Sequence, residues 1–277
     1  MALSDARPVL RATFDAVADR YDPSDVDYFR PVGRRVVELA EIRAGDAVLD
    51  VGCGRGAALF PAAAAAGGEG RVVGIDLSEA MVAATAAEAR ALGLSGVEVL
   101  RMDGQDPDFP AGSFDAVIGS MSVHMLPDTG AAFARFRELL RPGGRLCVSA
   151  PTTVLTPRPL VFGLASIAKW VQEYEAGTRV YPQSSAFGGE ERVLADLRTA
   201  GFRAAAVRDE VLHLTASSGR ALVDWTWTHG MRLFWERVPA DRRADVAADI
   251  DAEAETHRDP DTGLVTIPTM VSYVMAR

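Results

Sequence analysis

The sequence predicts an α/β protein built on a mostly parallel sheet with helices on both faces. Short apolar runs alternate with helical ones from residue 46 onward, the first run ends in a glycine loop, and three of the runs carry an aspartate at or just after the same end. The 277 residues suffice for one large domain or two small ones, and 48% hydrophobic with 24% charged residues is an ordinary globular composition.

Residues 8–42 read as two helices, with Val9, Leu10, Phe14 and Val17 on one face of the first and Val32, Val36, Leu39 and Ala40 on one face of the second. The Asp-Pro-Ser-Asp stretch at 22–25 separates them as a turn. AVLDVG (47–52) opens the alternation and is followed by a helix over 57–66, in which Pro61 is expected to introduce a kink. RVVGID (71–76), a helix over 79–92 and VEVL (97–100) come next. FDAVIG (114–119) and GRLCVSA (144–150) flank a helix over 130–140 that stops at Arg141-Pro142-Gly143-Gly144. Beyond 150 the pattern predicts helices near 160–176 and 189–200, strands near 204–214 and 264–276, and an acidic helical segment between those strands. No linker divides the chain, so residues 1–277 are expected to form one domain. Segments 151–190 and 217–262 leave the alternating pattern and read as cap insertions, where specificity tends to reside.

Twenty-nine basic against 38 acidic residues give a net charge of −9, which argues against a nucleic-acid partner. The single lysine, Lys169, removes a Walker-type phosphate loop and leaves little scope for Schiff-base chemistry. The opening MALSDARPVL lacks a secretory pattern and no apolar run reaches bilayer length, so a cytoplasmic protein away from the membrane is expected. Cys53 and Cys147 fit two free thiols in a reducing compartment.

VLDVGCGRGA (48–57) is a strand running into glycines and then a helix, the arrangement that brings backbone N–H groups close to a ligand. Asp76 ends the next strand, about twenty positions past the loop, where a carboxylate can accept from both hydroxyls of a ribose. The ligand class is thereby narrowed to nucleosides and dinucleotides. Gly52, Gly54 and Ala57 also satisfy a dinucleotide fingerprint, so a nicotinamide oxidoreductase stays open on this loop alone. Asp50, inside the strand end, can meet an ammonium group, and Asp103, just after the third strand, can accept from an adenine amino group.

With VLDVGCGRG, GIDLSEAMV, MDGQDPDFPAGSFDAVIGSMSVHMLPD and ELLRPGGRLCVS in this order, the chain resembles the class I S-adenosylmethionine-dependent methyltransferases. Within them it looks like the small-molecule group of ubiquinone and menaquinone methyltransferases, and FDAVADRYD is similar to that group's N-terminal segment. The resemblance covers roughly residues 12–150. It implies a Rossmann-like, doubly wound seven-stranded sheet with the last strand antiparallel, a donor-binding core over 43–150 and an N-terminal helical lid over 1–42. It also implies S-adenosyl-L-methionine as methyl donor and a small-molecule acceptor, with monomer and homodimer both open. By this carry-over Gly52, Cys53 and Gly54 line the methionine part, Asp76 holds the ribose, Leu77 and Met81 flank the adenine, and Asp103 and Gly104 meet its edge. Ser120 and Met121 meet the methionine backbone and Tyr21 closes over the donor. Gly104 departs from the commoner alanine. A related protein that binds the donor but runs a cyclisation or decarboxylation is the alternative.

His124, after the fourth strand, and His229, in Trp225-Thr-Trp-Thr-His-Gly, are the candidate catalytic bases, a structural histidine or core packing being the bland reading of each. His213 lies between two leucines and reads as packed. Asp249, Glu253 and His257 share a helical spacing but read as a solvated acidic face, so no metal site is expected.

Overall fold

The computed structural model describes residues 7–22, 25–151, 163, 166–167 and 189–277. In chain order the elements are α1 (Arg7–Asp15), β1 (Val26–Asp27), α2 (Phe29–Leu39), β2 (Ala47–Val51), α3 (Leu59–Ala66), β3 (Arg71–Asp76), α4 (Glu79–Ala91) and β4 (Val97–Arg101). They continue with β5 (Phe114–Gly119), α5 (Thr129–Leu139), β6 (Leu140–Pro151), α6 (Glu190–Thr199), β7 (Ala205–Ala216), α7 (Gly219–Thr226), α8 (Arg232–Trp235), α9 (Arg243–Glu255) and β8 (Val265–Ala276).

The strands form one sheet in the order β1-β7-β8-β6-β5-β2-β3-β4. Strands β2 to β6 pair in parallel, and β8 lies antiparallel between β6 and β7, as expected. All five residues of β2 are buried, because helices cover both faces. On one face α2 and α3 pack Val32, Val36, Leu59 and Ala62 into a core shared with Trp225, Trp235 and Ile250 of the second cap segment. On the other, α5 and α6 bring Phe133, Phe136, Val193 and Leu197 against the sheet.

The sheet has eight strands rather than seven. The extra one, β1, pairs Val26 and Asp27 with Ala216 and Thr215; two residues are too few to leave a periodic signal. For the same reason the second helix starts only at Phe29. Pro61 does not interrupt the helix, because α3 begins at Leu59 and places the proline in its first turn, where a missing N–H costs no intrahelical bond. Elsewhere the caps are those that local chemistry favours. The Met81 N–H donates to Ser78 Oγ at the start of α4 (3.1 Å), and the Ala131 N–H to Asp128 Oδ1 at the start of α5 (3.0 Å). Most of the helix expected near 160–176, Lys169 and most of the first cap segment lie outside the described residues.

The chain builds from β2 outward to β3 and β4, then returns to the other side of β2 to lay down β5. This reversal opens a crevice at the carboxyl ends of the strands, the position where open α/β sheets bind their ligands.

Candidate active site

The crevice is roofed by α1, whose Leu10, Arg11 and Phe14 face Val51, Gly52, Asp76, Gly104 and Met121 across it. Ten of the sequence-predicted residues converge on its walls: Tyr21, Gly52, Gly54, Asp76, Leu77, Met81, Asp103, Gly104, Ser120 and Met121. Asp50 and Cys53 instead line a smaller inner cavity that shares Tyr21, Gly52, Gly54 and Ser120 with the crevice.

The floor is set by backbone geometry. Gly52, Gly54 and Gly56 all have positive φ, and a Cβ on Gly52 would lie 2.5 Å from that of Ser122. The Gly52 and Cys53 N–H groups both donate to Ile75 O (2.8 and 2.9 Å), tying the loop to the end of β3. Asp76 clamps the same junction, accepting from the Gly54 N–H at Oδ2 and the Ser78 N–H at Oδ1, each at 2.9 Å. Its carboxyl is pushed above the usual range by burial, with those two N–H groups pulling the other way. Gly104 is explained by space, since a Cβ there would come within 2.8 Å of Val51 Cγ1.

On the β5 side, Met121 adopts φ +54, a strained conformation for a non-glycine residue, held by its N–H donating to Ser149 Oγ (3.0 Å). Beside it Ser122 Oγ donates to Val51 O (2.5 Å). These bonds fix the loop that carries Ser120 to His124.

Two groups absent from the sequence reading hold the roof. Arg7 Nη1 donates to Asp103 Oδ2 (2.8 Å), while Asp103 Oδ1 takes the Gln105 N–H (2.9 Å). Asp15 accepts from Ser78 Oγ (2.6 Å) and the Ala80 N–H (3.2 Å). Arg7 and Asp15 carry no local motif, and only the fold brings α1 over β4 and α4. Ser78 carries a local signal, a serine directly before the helical run from Glu79, that marks a helix cap.

Asp50 is 1% exposed, and neither carboxylate oxygen has a hydrogen-bond partner among the described residues. Burial, reinforced by the Asp76 charge and offset in part by the nearby Leu59 backbone N–H, which falls short of hydrogen-bond geometry, pushes its carboxyl up to about 8. A carboxyl raised this way binds more protons folded than unfolded, so its contribution to stability is lost as pH rises from about 4 to about 8. Ser120 Oγ and Arg55 Nε are likewise buried and unpartnered on that cavity. Asp22, also on it, has its carboxyl raised to about 6 by burial against the pull of Arg30.

Cys53 turns its thiol toward β3, where a Cβ on Gly74 would lie 2.9 Å from Sγ, and burial holds the thiol protonated. Cys53 and Cys147 are both free and buried. His124 sits in a short 3₁₀ turn, Val123–Met125, beside but not on the crevice wall, and burial pushes its imidazole down to about 4. His229 lies one ring away from the inner cavity, edge-on to Phe29 at 5.5 Å, with its imidazole pushed down to about 3 by burial. No cluster of metal-ligating side chains occurs among the described residues, and none of the described helices is long and apolar enough to cross a membrane.

Residues 48–144, from β2 to the start of β6, match the methyltransferase domain family. Nocamycin O-methyltransferase of Saccharothrix syringae is 44% identical over 95% of this chain and 96% of its own length. The chain belongs to the S-adenosylmethionine-dependent methyltransferases. Aklanonic acid methyltransferase DauC of a Streptomyces species is 46% identical over 50% of this chain and 63% of its own. A solved SAM-dependent methyltransferase from Aquifex aeolicus shares the fold at TM-score 0.50 and 21% identity over 73% of this chain and 92% of its own. The [4+2]-cyclase SpnF shares it at TM-score 0.55 and 20% identity over 98% and 92%. The fold thus serves more than one chemistry, and the full-length sequence similarity to a methyltransferase is what separates this chain from the cyclase.

The residues of this methyltransferase suit S-adenosylmethionine. The orphaned Asp50 carboxylate provides an acceptor for an amino group, Asp76 provides one for a diol, and the apolar Leu77 and Met81 provide faces for a base.

Proposed function

We propose that this methyltransferase methylates an oxygen of a specialised metabolite of polyketide or aromatic type. The observation that carries the reading is 44% identity, over nearly the full length of both chains, to an enzyme named for O-methylation. The cluster of packed rings Tyr21, Tyr28, Phe29 and Trp225, which leads from the crevice wall at Tyr21 into the second cap segment, supports a planar acceptor.

When bound, the donor supplies a methyl group activated by a sulfonium charge. In this reading Asp76 orients it through the ribose, Gly104 and Asp103 meet the base edge, Leu77 and Met81 pack its faces, and Gly52, Gly54, Ser120 and Met121 hold the methionine end. Tyr21 and α1 exclude water, and the chain's main contribution is orientation. His124 and His229 are both neutral at pH 7. A base this weak suits an oxygen that is already acidic, and His124 is assigned any proton the acceptor must lose. The reading also makes this a cytoplasmic enzyme, monomeric or homodimeric, that acts away from nucleic acid and membranes.

Asp50 is assigned the donor's amino group. A cation beside it favours the carboxylate, so binding at pH 7 is expected to release a proton from a group that titrates near 8. Calorimetric titration of S-adenosylhomocysteine in two buffers of different ionisation enthalpy reads this release. It is expected to vanish above pH 9 and with 5′-methylthioadenosine, which lacks the amino group; equal release with both ligands would remove Asp50 from this role.

The acceptor assignment is tested by incubating the enzyme with S-adenosylmethionine and aklanonic acid. The expected product is heavier by one methylene, appears with equimolar S-adenosylhomocysteine, and carries the methyl on oxygen by fragmentation. A changed product of unchanged mass that forms without S-adenosylhomocysteine would favour a cyclising reaction, and an N- or C-methylated product would overturn the oxygen assignment.

A further inference from the structure

The second cap segment holds two polar groups that the fold leaves unanswered. Trp225 is 2% exposed and His229 7%, and neither Trp225 Nε1 nor His229 Nε2 has a hydrogen-bond partner among the described residues. Their rings lie 4.2 Å apart. The contrast with Trp235 in the same segment is informative, since its indole N–H donates to Thr226 Oγ1 at 2.8 Å. A buried donor left unmade costs about 1–3 kcal/mol, so a close pair of them is a feature to be explained by what docks there.

The tautomer of His229 follows from its other nitrogen. The Met231 backbone N–H donates to His229 Nδ1 (3.4 Å), so Nδ1 is an acceptor and the neutral ring carries its proton on Nε2. Trp225 Nε1 is a donor in any state. The two neighbouring rings therefore each offer an N–H donor, which suits an oxygen and is the wrong polarity for a base. Phe29 touches both rings, at 5.8 and 5.5 Å, lines the inner cavity and stacks on Tyr21 of the crevice wall at 5.1 Å, which places the pair one ring from the inner cavity and two from the donor crevice.

We infer that Trp225 Nε1–H and His229 Nε2–H form a clasp for a carbonyl or ionised oxygen of the acceptor, and that His229 selects and positions the acceptor rather than deprotonating it. The inference rests on the reading of the acceptor as an oxygen-bearing metabolite. Its chemistry favours acceptors with an oxygen acceptor group at a fixed distance from the methylated atom, and disfavours amines, whose N–H groups would face two donors.

The test uses full-length enzyme saturated with S-adenosylhomocysteine and aklanonic acid as probe. In ¹⁵N-histidine, ¹⁵N-tryptophan protein, His229 is expected to show the Nε2–H tautomer, and the probe to shift both His229 Nε2 and Trp225 Nε1. Trp225→Phe and His229→Leu are each expected to weaken the probe by about tenfold, while S-adenosylhomocysteine affinity and melting temperature stay near wild type. His229→Gln, which keeps a donor close to the Nε2 position, is expected to recover most of the loss. An Nδ1–H tautomer, or a probe that binds wild type and both donor-less variants alike, overturns the clasp. If wild type does not bind aklanonic acid, the acceptor reading falls for that compound, and the tautomer alone decides the clasp: Nε2–H supports it and Nδ1–H removes it.

Discussion

Replacing Asp76 with alanine is expected to weaken S-adenosylhomocysteine binding at least about 100-fold, because the donor pose proposed above gives Asp76 two charge-assisted hydrogen bonds to a ribose, worth about 1.5–3 kcal/mol each. The fall has a second source in the free enzyme. Asp76 also accepts the Gly54 and Ser78 N–H groups, so its removal leaves the glycine loop and the start of α4 without their common clamp. Asp76→Asn separates the two. It preserves volume and one acceptor oxygen but turns an amide N–H toward one of those backbone donors, so an intermediate affinity is expected. Calorimetry on both variants, with melting temperatures alongside, checks the ordering; an alanine variant that binds within about threefold of wild type would contradict the role of Asp76.

The largest expected effect on stability lies outside the crevice, at Gly33 in α2. A Cβ there would stand 2.1 Å from the Ala57 carbonyl oxygen and 2.3 Å from its carbon, so the helix rests directly on the backbone that leaves the glycine loop. Neither side can yield as a flexible side chain would. Gly33→Ala is expected to cost about 3 kcal/mol or more in urea unfolding and to loosen the loop, lowering donor affinity as well. Gly45→Ala is the control: its φ of +84 carries a strain of about 1 kcal/mol, but its Cβ would enter open space. Equal losses in the two variants would mean that α2 does not pack as described.

What the sequence makes legible here is local. The strands β2 to β5 follow from apolar runs of the right length, and the crevice follows from glycines and aspartates at strand ends, since each signal lies within a few residues of the feature it predicts. What it hides depends on distant chain segments meeting. Strand β1 exists only because Val26 and Asp27 reach Ala216 and Thr215. Arg7 reads as one arginine among many until α1 is laid across Asp103. Cys53 and Gly54 are neighbours in one loop, yet the first packs against β3 while the second lines the crevice, a difference of backbone dihedral that no composition shows. His229 reads from the sequence as a candidate base or a packed ring beside two tryptophans; the hydrogen bond that its Nδ1 accepts from the Met231 N–H is visible only in the fold.

The most direct test of the account is a crystal structure of the enzyme with S-adenosylhomocysteine. The ligand is expected beneath α1, with its ribose on Asp76, its adenine edge at Gly104 and Asp103, and its amino group reaching the cavity that holds Asp50. A ligand bound elsewhere, or one in the crevice with its ribose away from Asp76, would contradict it.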